Sequence, residues 1–298
     1  MYKHYRESWN YSRINPYPDY NDMIKYTDSK LLPLGFEKEE IGLSQDGEFM
    51  MYAYKKNLDK PIFWLDSNIH GSEWWTCYYC LDFLTAVWGD TYFDKKVSKL
   101  IRDNFGMYYI PSVNPWGYHN VKYYQSRGVN LNRNFNSRFD DYQHGNAQWE
   151  GNNYKGTEAE SEQETKNIVS AFNKIKPYIA INCHTTTGNG SGVDLNNKYP
   201  EYSLLTTDVH NSIKLTYPEA GTLEWNGQYT PSAQAWYGMQ TSKEGTNVIT
   251  SILEHQSDTD KYNVGYTTLF IIALTTINWK NNNRLKLNHI EELISWPF

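Results

Sequence analysis

PIFWLDSN, from Pro61 to Asn68, is a continuous apolar run of strand length, and it empties through Ile69-His70-Gly71-Ser72-Glu73 into a helical pattern running from about Ser72 to Val87. The same alternation continues downstream. A helix is expected near Lys95 to Asp103, a strand at Gly106 to Val113, a helix at Glu158 to Lys174 and a strand at Tyr178 to Cys183. Ser161 and Glu164 have capping-box spacing near the start of the second of these helices. A helical run at Tyr202 to Lys214 then leads through a Gly- and Trp-containing loop to a strand, Asn247 to Leu253, and to an apolar helix near Gly265 to Trp279. Upstream, Tyr20 to Leu32 carries helical spacing, and Phe36 to Ser44 and Glu48 to Lys55 read as strands joined by the turn Gln45-Asp46-Gly47. Strands alternating with helices predict an α/β fold, with a mixed, largely parallel central sheet covered by helices on both faces. One domain spanning 1–298 is expected, with residues 1–20 as an irregular arm.

Composition narrows the function. A formal net charge of -6, with Lys and Arg scattered along the chain, leaves no basic stripe for a phosphate backbone, so nucleic acid is not an expected partner. The first residues, MYKHYRESWNYSR, contain no apolar run of the kind found in a signal peptide or anchor. Tyr266 to Ile277 is well short of the ~20 residues that span a bilayer and reads as a buried helix. No membrane insertion is expected, and the cytoplasm is the default location. Cys77, Cys80 and Cys183 are too few and too unevenly placed for a disulfide framework. The C-x-x-C at Cys77 and Cys80 falls inside a helix rather than at its start, so it is expected to be core packing. The 26 Tyr and 11 Trp are expected mainly in the core and on amphipathic surfaces. Asn114 to Lys155 has little period and is rich in Asn, Gly and Tyr, and a loop of that length in a compact domain is usually functional.

Chemistry gathers at the strand ends. His70 and Glu73 follow one apolar strand; His184 closes Tyr178 to Cys183 and Glu254 closes Asn247 to Leu253 in the same way. Alone, a His and a Glu three apart carry little information. In open α/β sheets, however, ligands collect beyond the carboxyl ends of the strands, so three such ends deliver two imidazoles and a carboxylate to one crevice, with Glu73 entering from a helix start. Two His and one Glu make a three-ligand zinc site that leaves a fourth position open, the catalytic rather than the structural arrangement.

Six stretches in order, HGSEWW (His70 to Trp75), VNPWGY (Val113 to Tyr118), GVNLNRNF (Gly128 to Phe135), YKGTEAESEQET (Tyr154 to Thr165), INCHTT (Ile181 to Thr186) and ILEH (Ile252 to His255), resemble the zinc carboxypeptidase family of carboxypeptidase A-like metallopeptidases. The resemblance runs from about Leu34 to about Trp279. It implies one zinc ion (Zn2+) per chain on His70, Glu73 and His184, a general base and acid at Glu254, and an Asn132–Arg133 pair that grips the terminal carboxylate of a peptide substrate. A second arginine for the oxyanion matches Arg127, ahead of Lys122. The family's loop tyrosine matches Tyr229, ahead of Tyr237, and the residue setting side-chain preference falls near Gln234. The expected activity is zinc-dependent removal of a C-terminal residue. The same fold and metal also suit a cell-wall peptide endopeptidase or an amidase, while a non-catalytic binding module sits poorly with an intact ligand set. His4, His119, His144, His210, His255 and His289 are expected to be structural or surface residues.

Overall fold

The computed structural model describes residues 19–92, 94–185, 192–196, 203–216, 230–240, 250–254 and 261–280. Along the chain the elements are α1 (Tyr20–Leu31), β1 (Glu37–Leu43), β2 (Met50–Lys56), β3 (Ile62–Ser67), α2 (Trp75–Trp88), α3 (Lys95–Asn104), β4 (Gly106–Ile110), α4 (Pro115–Asn120), α5 (Gln163–Ile175), β5 (Ile179–Cys183), β6 (Gly192–Asn196), α6 (Ser203–Thr216), α7 (Ala233–Met239), β7 (Thr250–Glu254) and α8 (Lys261–Lys280). The strands form one sheet in the order β1-β2-β4-β3-β5-β7-β6. Its middle, β4-β3-β5-β7, is parallel, and the flanking strands β1, β2 and β6 pair antiparallel. The carboxyl ends of β3, β5 and β7 therefore lie side by side, with Ser67 level with Cys183 and Cys183 level with Leu253.

β3 is buried along its whole length because both of its faces are covered. Successive side chains on a strand point to opposite faces. Phe63 and Leu65 accordingly join one apolar cluster with α1, α2, α3 and α8, while Ile62 and Trp64 join a second with Phe172 of α5 and Trp236 and Tyr237 of α7. A continuous apolar run, rather than an alternating one, is what a strand between two cores requires. Trp64 stacks on Tyr108 of β4 at 4.9 Å between ring centroids, and Phe172 stacks on Tyr237 at 4.6 Å. Among the described residues, many of the aromatic side chains are thus core material. The apolar stretch 266–277 is the buried body of α8, whose Leu269, Ile272 and Ala273 are almost fully enclosed. Each such Leu or Ile contributes about 1.5–3 kcal/mol relative to exposure. Among the described residues no helix is long and apolar enough to cross a membrane.

Several local expectations changed. The capping box does not form: α5 starts at Gln163, Ser161 Oγ donates to Glu162 Oε1 at 2.7 Å, and Glu164 Oε1 instead accepts from the backbone of Gln45 at 2.9 Å. Tertiary contact with the β1–β2 turn has displaced the local cap. The long segment after β4 is not featureless, for it carries α4 and short 3-10 turns at Leu131–Arg133 and Gln148–Asn153. Helix α7, capped by Ser232 Oγ accepting from Ala235 N, occupies sequence that reads as loop, and strand β6 is an element for which the sequence carries no expectation. The expected irregular arm falls almost entirely outside the described residues. Cys77, Cys80 and Cys183 are free and buried, as expected of core cysteines.

Burial at the start of α5 has a measurable cost. Desolvation raises the Glu164 carboxyl from 4.5 to about 7, outweighing the help of the Gln45 backbone N–H. Its stabilising protonated form is fully present below the unfolded value and is lost as pH rises through about 7. Glu164→Gln should therefore gain stability over wild type at about pH 8, on the order of 2–3 kcal/mol more than at about pH 5. Paired denaturation midpoints at the two pH values test this; equal gains would mean that Glu164 does not titrate as the fold implies.

Candidate metal centre

The turn that leaves β3 is fixed by its own backbone accounting. Asn68 takes a left-handed φ of 56°, and its side-chain amide donates to the carbonyls of His70 and Gly71 while its Oδ1 accepts from Ser112 Oγ. Thr76 Oγ1 accepts from Asn68 N and donates to Glu73 O, closing the turn onto the first residues of α2. Gly71 is pressed against α4: a Cβ there would lie 2.1 Å from the backbone of Gly117, so no larger residue fits without moving it. His70 and Glu73 thereby emerge on one side of a rigid corner. His184 arrives from the end of β5.

Their ligand atoms converge. His70, Glu73 and His184 are all buried, and one donor atom from each lies within 4.8 Å of the others. Nδ1 of His70 is 2.9 Å from Glu73 Oε1, Nδ1 of His184 is 3.3 Å from Glu73 Oε2, and the two Nδ1 atoms are 3.1 Å apart. Ligands about 2.0–2.1 Å from a tetrahedral zinc ion stand roughly 3.3 Å from one another, so the spacing fits.

Proton placement supports the same occupant. His70 Nε2 faces Asn130 Oδ1 at 3.2 Å, and His184 Nε2 faces Asn182 Oδ1 at short range. An amide oxygen only accepts, so each ring places its proton on Nε2 and turns a bare Nδ1 lone pair inward, the short contact of His184 with Asn182 Oδ1 outweighing the 3.4 Å approach of the Asn132 NH2 group. Two lone pairs and a carboxylate aimed at one point repel each other unless a cation lies between them. Burial pushes the His70 imidazole below its usual value, against the pull of Glu73, which favours the neutral ring a metal needs.

The other expected residues divide. Asn132 is buried beside the cluster: its Nδ2 is 3.4 Å from His184 Nε2 and its Oδ1 accepts from Ala233 N at the start of α7. Arg133 is half-buried, with Nη1 donating to Asn132 O at 2.8 Å and the guanidinium over the Tyr142 ring; its Nε is buried with no hydrogen-bond partner among the described residues. Arg127 is exposed, 3.9 Å from buried Glu162, and no contact among the described residues joins it to the three ligands. Lys122 is exposed as well, so geometry does not favour either cation. Position 254 ends β7 beside position 184, as the register of Cys183 with Leu253 requires. Tyr229 lies outside the described residues. Tyr237 is a core residue whose hydroxyl donates to Asp66 Oδ2 at 2.8 Å, and Gln234 is buried on α7 with Oε1 unpaired among the described residues. His119 and His144 are exposed, while His4, His255 and His289 fall outside the described residues.

Sequence reasoning missed Asn130 and Asn182, which back His70 and His184, Asp66, which holds Asn182, and Tyr123, whose ring stacks on His70 at 3.9 Å. The available signal for two of them was a polar residue inside an otherwise apolar strand, Asp66 in IFWLDS and Asn182 in IAINC.

A profile of the family described as zinc carboxypeptidase matches residues 30–269. The chain is 26% identical over 196 residues to mast cell carboxypeptidase A of Homo sapiens, covering 60% of this chain and 43% of that protein. It is 25% identical over 191 residues to the Mus musculus protein of the same name, covering 57% and 45%. The chain thus spans less than half the length of these curated relatives. Among solved structures it is similar to thrombin activatable fibrinolysis inhibitor, with a TM-score of 0.69 and 18% identity over 92% of this chain and 77% of that one. The bovine form, solved with tick carboxypeptidase inhibitor, gives a TM-score of 0.68 at 18% identity, covering 95% and 99%. A putative carboxypeptidase A from Shewanella denitrificans OS-217 gives 0.65 at 16% identity, covering 88% and 69%. At these identities the structural likeness speaks to the fold.

Proposed function

The chain belongs to the zinc carboxypeptidase family, and from that premise we propose that it removes the C-terminal residue of a peptide by zinc-dependent hydrolysis. His70, Glu73 and His184 are the proposed ligands. Zinc held there supplies Lewis-acid chemistry, polarising a carbonyl and acidifying water. The chain's own residues do the rest. Glu254 is the proposed base that takes a proton from the attacking water and returns it, as an acid, to the leaving amine. Asn132 and Arg133 are proposed to hold the substrate's terminal carboxylate, Tyr229 to bind the substrate, and Arg127 to stabilise its developing oxyanion.

The observation that carries the exopeptidase reading is Arg133. It directly follows Asn132, whose side chain lies 3.4 Å from His184, and its buried Nε has no hydrogen-bond partner among the described residues. A planar cationic fork with a spare donor beside a metal-ligand cluster suits a carboxylate, which it can grip through two bonds where a lysine offers a point charge.

The test compares a peptide with its C-terminally amidated twin. Hydrogen bonds to charged groups contribute about 1.5–3 kcal/mol, so amidation should lower kcat/KM by about one to two orders of magnitude. Arg133→Ala should lower activity on the free acid similarly and on the amide much less, so the two changes together fall far short of additive. An amidated or internal bond cut as fast as the free acid would turn the reading toward the cell-wall endopeptidase or amidase. Products identified by mass distinguish these outcomes.

A further inference from the structure

Asp66 is a fully buried carboxylate that touches none of the three ligands, yet it sits two hydrogen bonds away from one of them. On β3 it is level with Asn182 of β5, and both side chains lie on the sheet face covered by α7. Three donors meet it: Trp64 Nε1 at 2.6 Å and Tyr237 OH at 2.8 Å on Oδ2, and Asn182 Nδ2 on Oδ1. Asn182 then offers its Oδ1 to His184 Nε2.

An asparagine side chain is nearly symmetric in shape, and only its partners decide which end faces where. For Asn130, behind His70, the backbone decides: Nδ2 donates to Asn152 O at 2.7 Å and Oδ1 accepts from Asn132 N at 2.8 Å. For Asn182 the deciding partner is the Asp66 side chain. A carboxylate accepts only, so it draws the NH2 end of the amide toward itself and leaves the oxygen for His184. That oxygen in turn keeps the His184 proton on Nε2 and the Nδ1 lone pair toward the site.

We infer that Asp66 is a positioning residue for the metal centre, acting through the orientation of the Asn182 amide on the tautomer of His184. The inference rests on the assignment of His184 as a zinc ligand. With an amide in place of the carboxylate at position 66, Trp64 and Tyr237 still need an acceptor and claim its oxygen, so its NH2 group faces Asn182. Asn182 must then turn its own oxygen toward position 66 and its NH2 toward His184. The imidazole becomes an acceptor at Nε2 and carries its proton on Nδ1, where the metal binds.

The test is zinc affinity of the full chain, read by competition with a chromophoric chelator and needing no substrate. Partners behind metal-ligating histidines typically govern affinity by 10–100-fold, so Asp66→Asn should weaken zinc binding by about that much. Asp66→Asn combined with Asn182→Asp should restore it to within about threefold of wild type, because a carboxylate at position 182 accepts both from the amide now at position 66 and from His184. Tyr237→Phe removes a different donor from Asp66 and should lower the melting temperature while leaving zinc affinity within about threefold, since the Asn182 contact survives.

Folding of each metal-free variant is checked by circular dichroism. Wild-type affinity in Asp66→Asn, or a folded double variant no tighter than the single one, overturns the inference. So does a Tyr237→Phe that weakens zinc as much as Asp66→Asn, which would mark a merely structural role. A wild-type chain that takes up no zinc overturns the ligand assignment itself, and the inference with it.

Discussion

Glu254→Gln is expected to lower turnover by about 10²–10⁴-fold while zinc content stays at about one ion per chain. The amide keeps the shape of the carboxylate but does not accept a proton at working pH, so the loss isolates proton transfer from metal holding. Position 254 is suited to this role by topology: β7 is the parallel neighbour of β5, and its last residue stands beside position 184 at the carboxyl edge of the sheet. The measurement is kcat on a free-acid peptide alongside elemental analysis of the same sample. A variant that turned over at near wild-type rate would move the base to another residue. One that lost its zinc would make Glu254 a ligand.

Removing the metal should have an effect at least as large. A Lewis acid contributes several kcal/mol to such a transition state, and each 1.4 kcal/mol is tenfold in rate, so chelation or His184→Ala should lower kcat/KM by about three orders of magnitude or more. Added zinc should restore the chelated wild type and leave His184→Ala inactive. The fold should survive both treatments. His70, Glu73 and His184 sit at the rim of a seven-stranded sheet, whereas the two apolar clusters that hold the sheet lie on its two faces and contain none of these three residues. Loss of metal then removes only the binding contribution to stability, which mass action limits to a few kcal/mol at moderate excess. Chelated protein with full activity would sink the metal reading; chelated protein without helical signal would show that the ion is part of the fold.

The parts of the molecule legible in the sequence share a physical cause. β3, β5 and α8 announced themselves because burial on both sides of a strand, or around a helix, demands a predominantly apolar run, and that demand is local. α7 and β6 did not. α7 has only seven residues, fewer than a reliable helical period needs, and its position is set by Asn132 Oδ1 accepting from Ala233 N and by Tyr237 reaching Asp66. The failed capping box has the same origin, since Glu164 was drawn away by Gln45 at a separation of 119 residues.

At the site the division is similar. His70, Glu73 and His184 could be picked out because each follows a recognisable strand, and the rule that ligands gather beyond strand ends needs only the order of elements. By itself the sequence determined an α/β sheet, the strands that end at one rim, and the residue types delivered there. Tertiary structure alone decided which nitrogen of each imidazole faces inward. That choice depends on Asn130, 60 residues from His70, and on Asp66, 116 residues from Asn182, and hydrogen bonds over such separations leave no periodic trace in the chain.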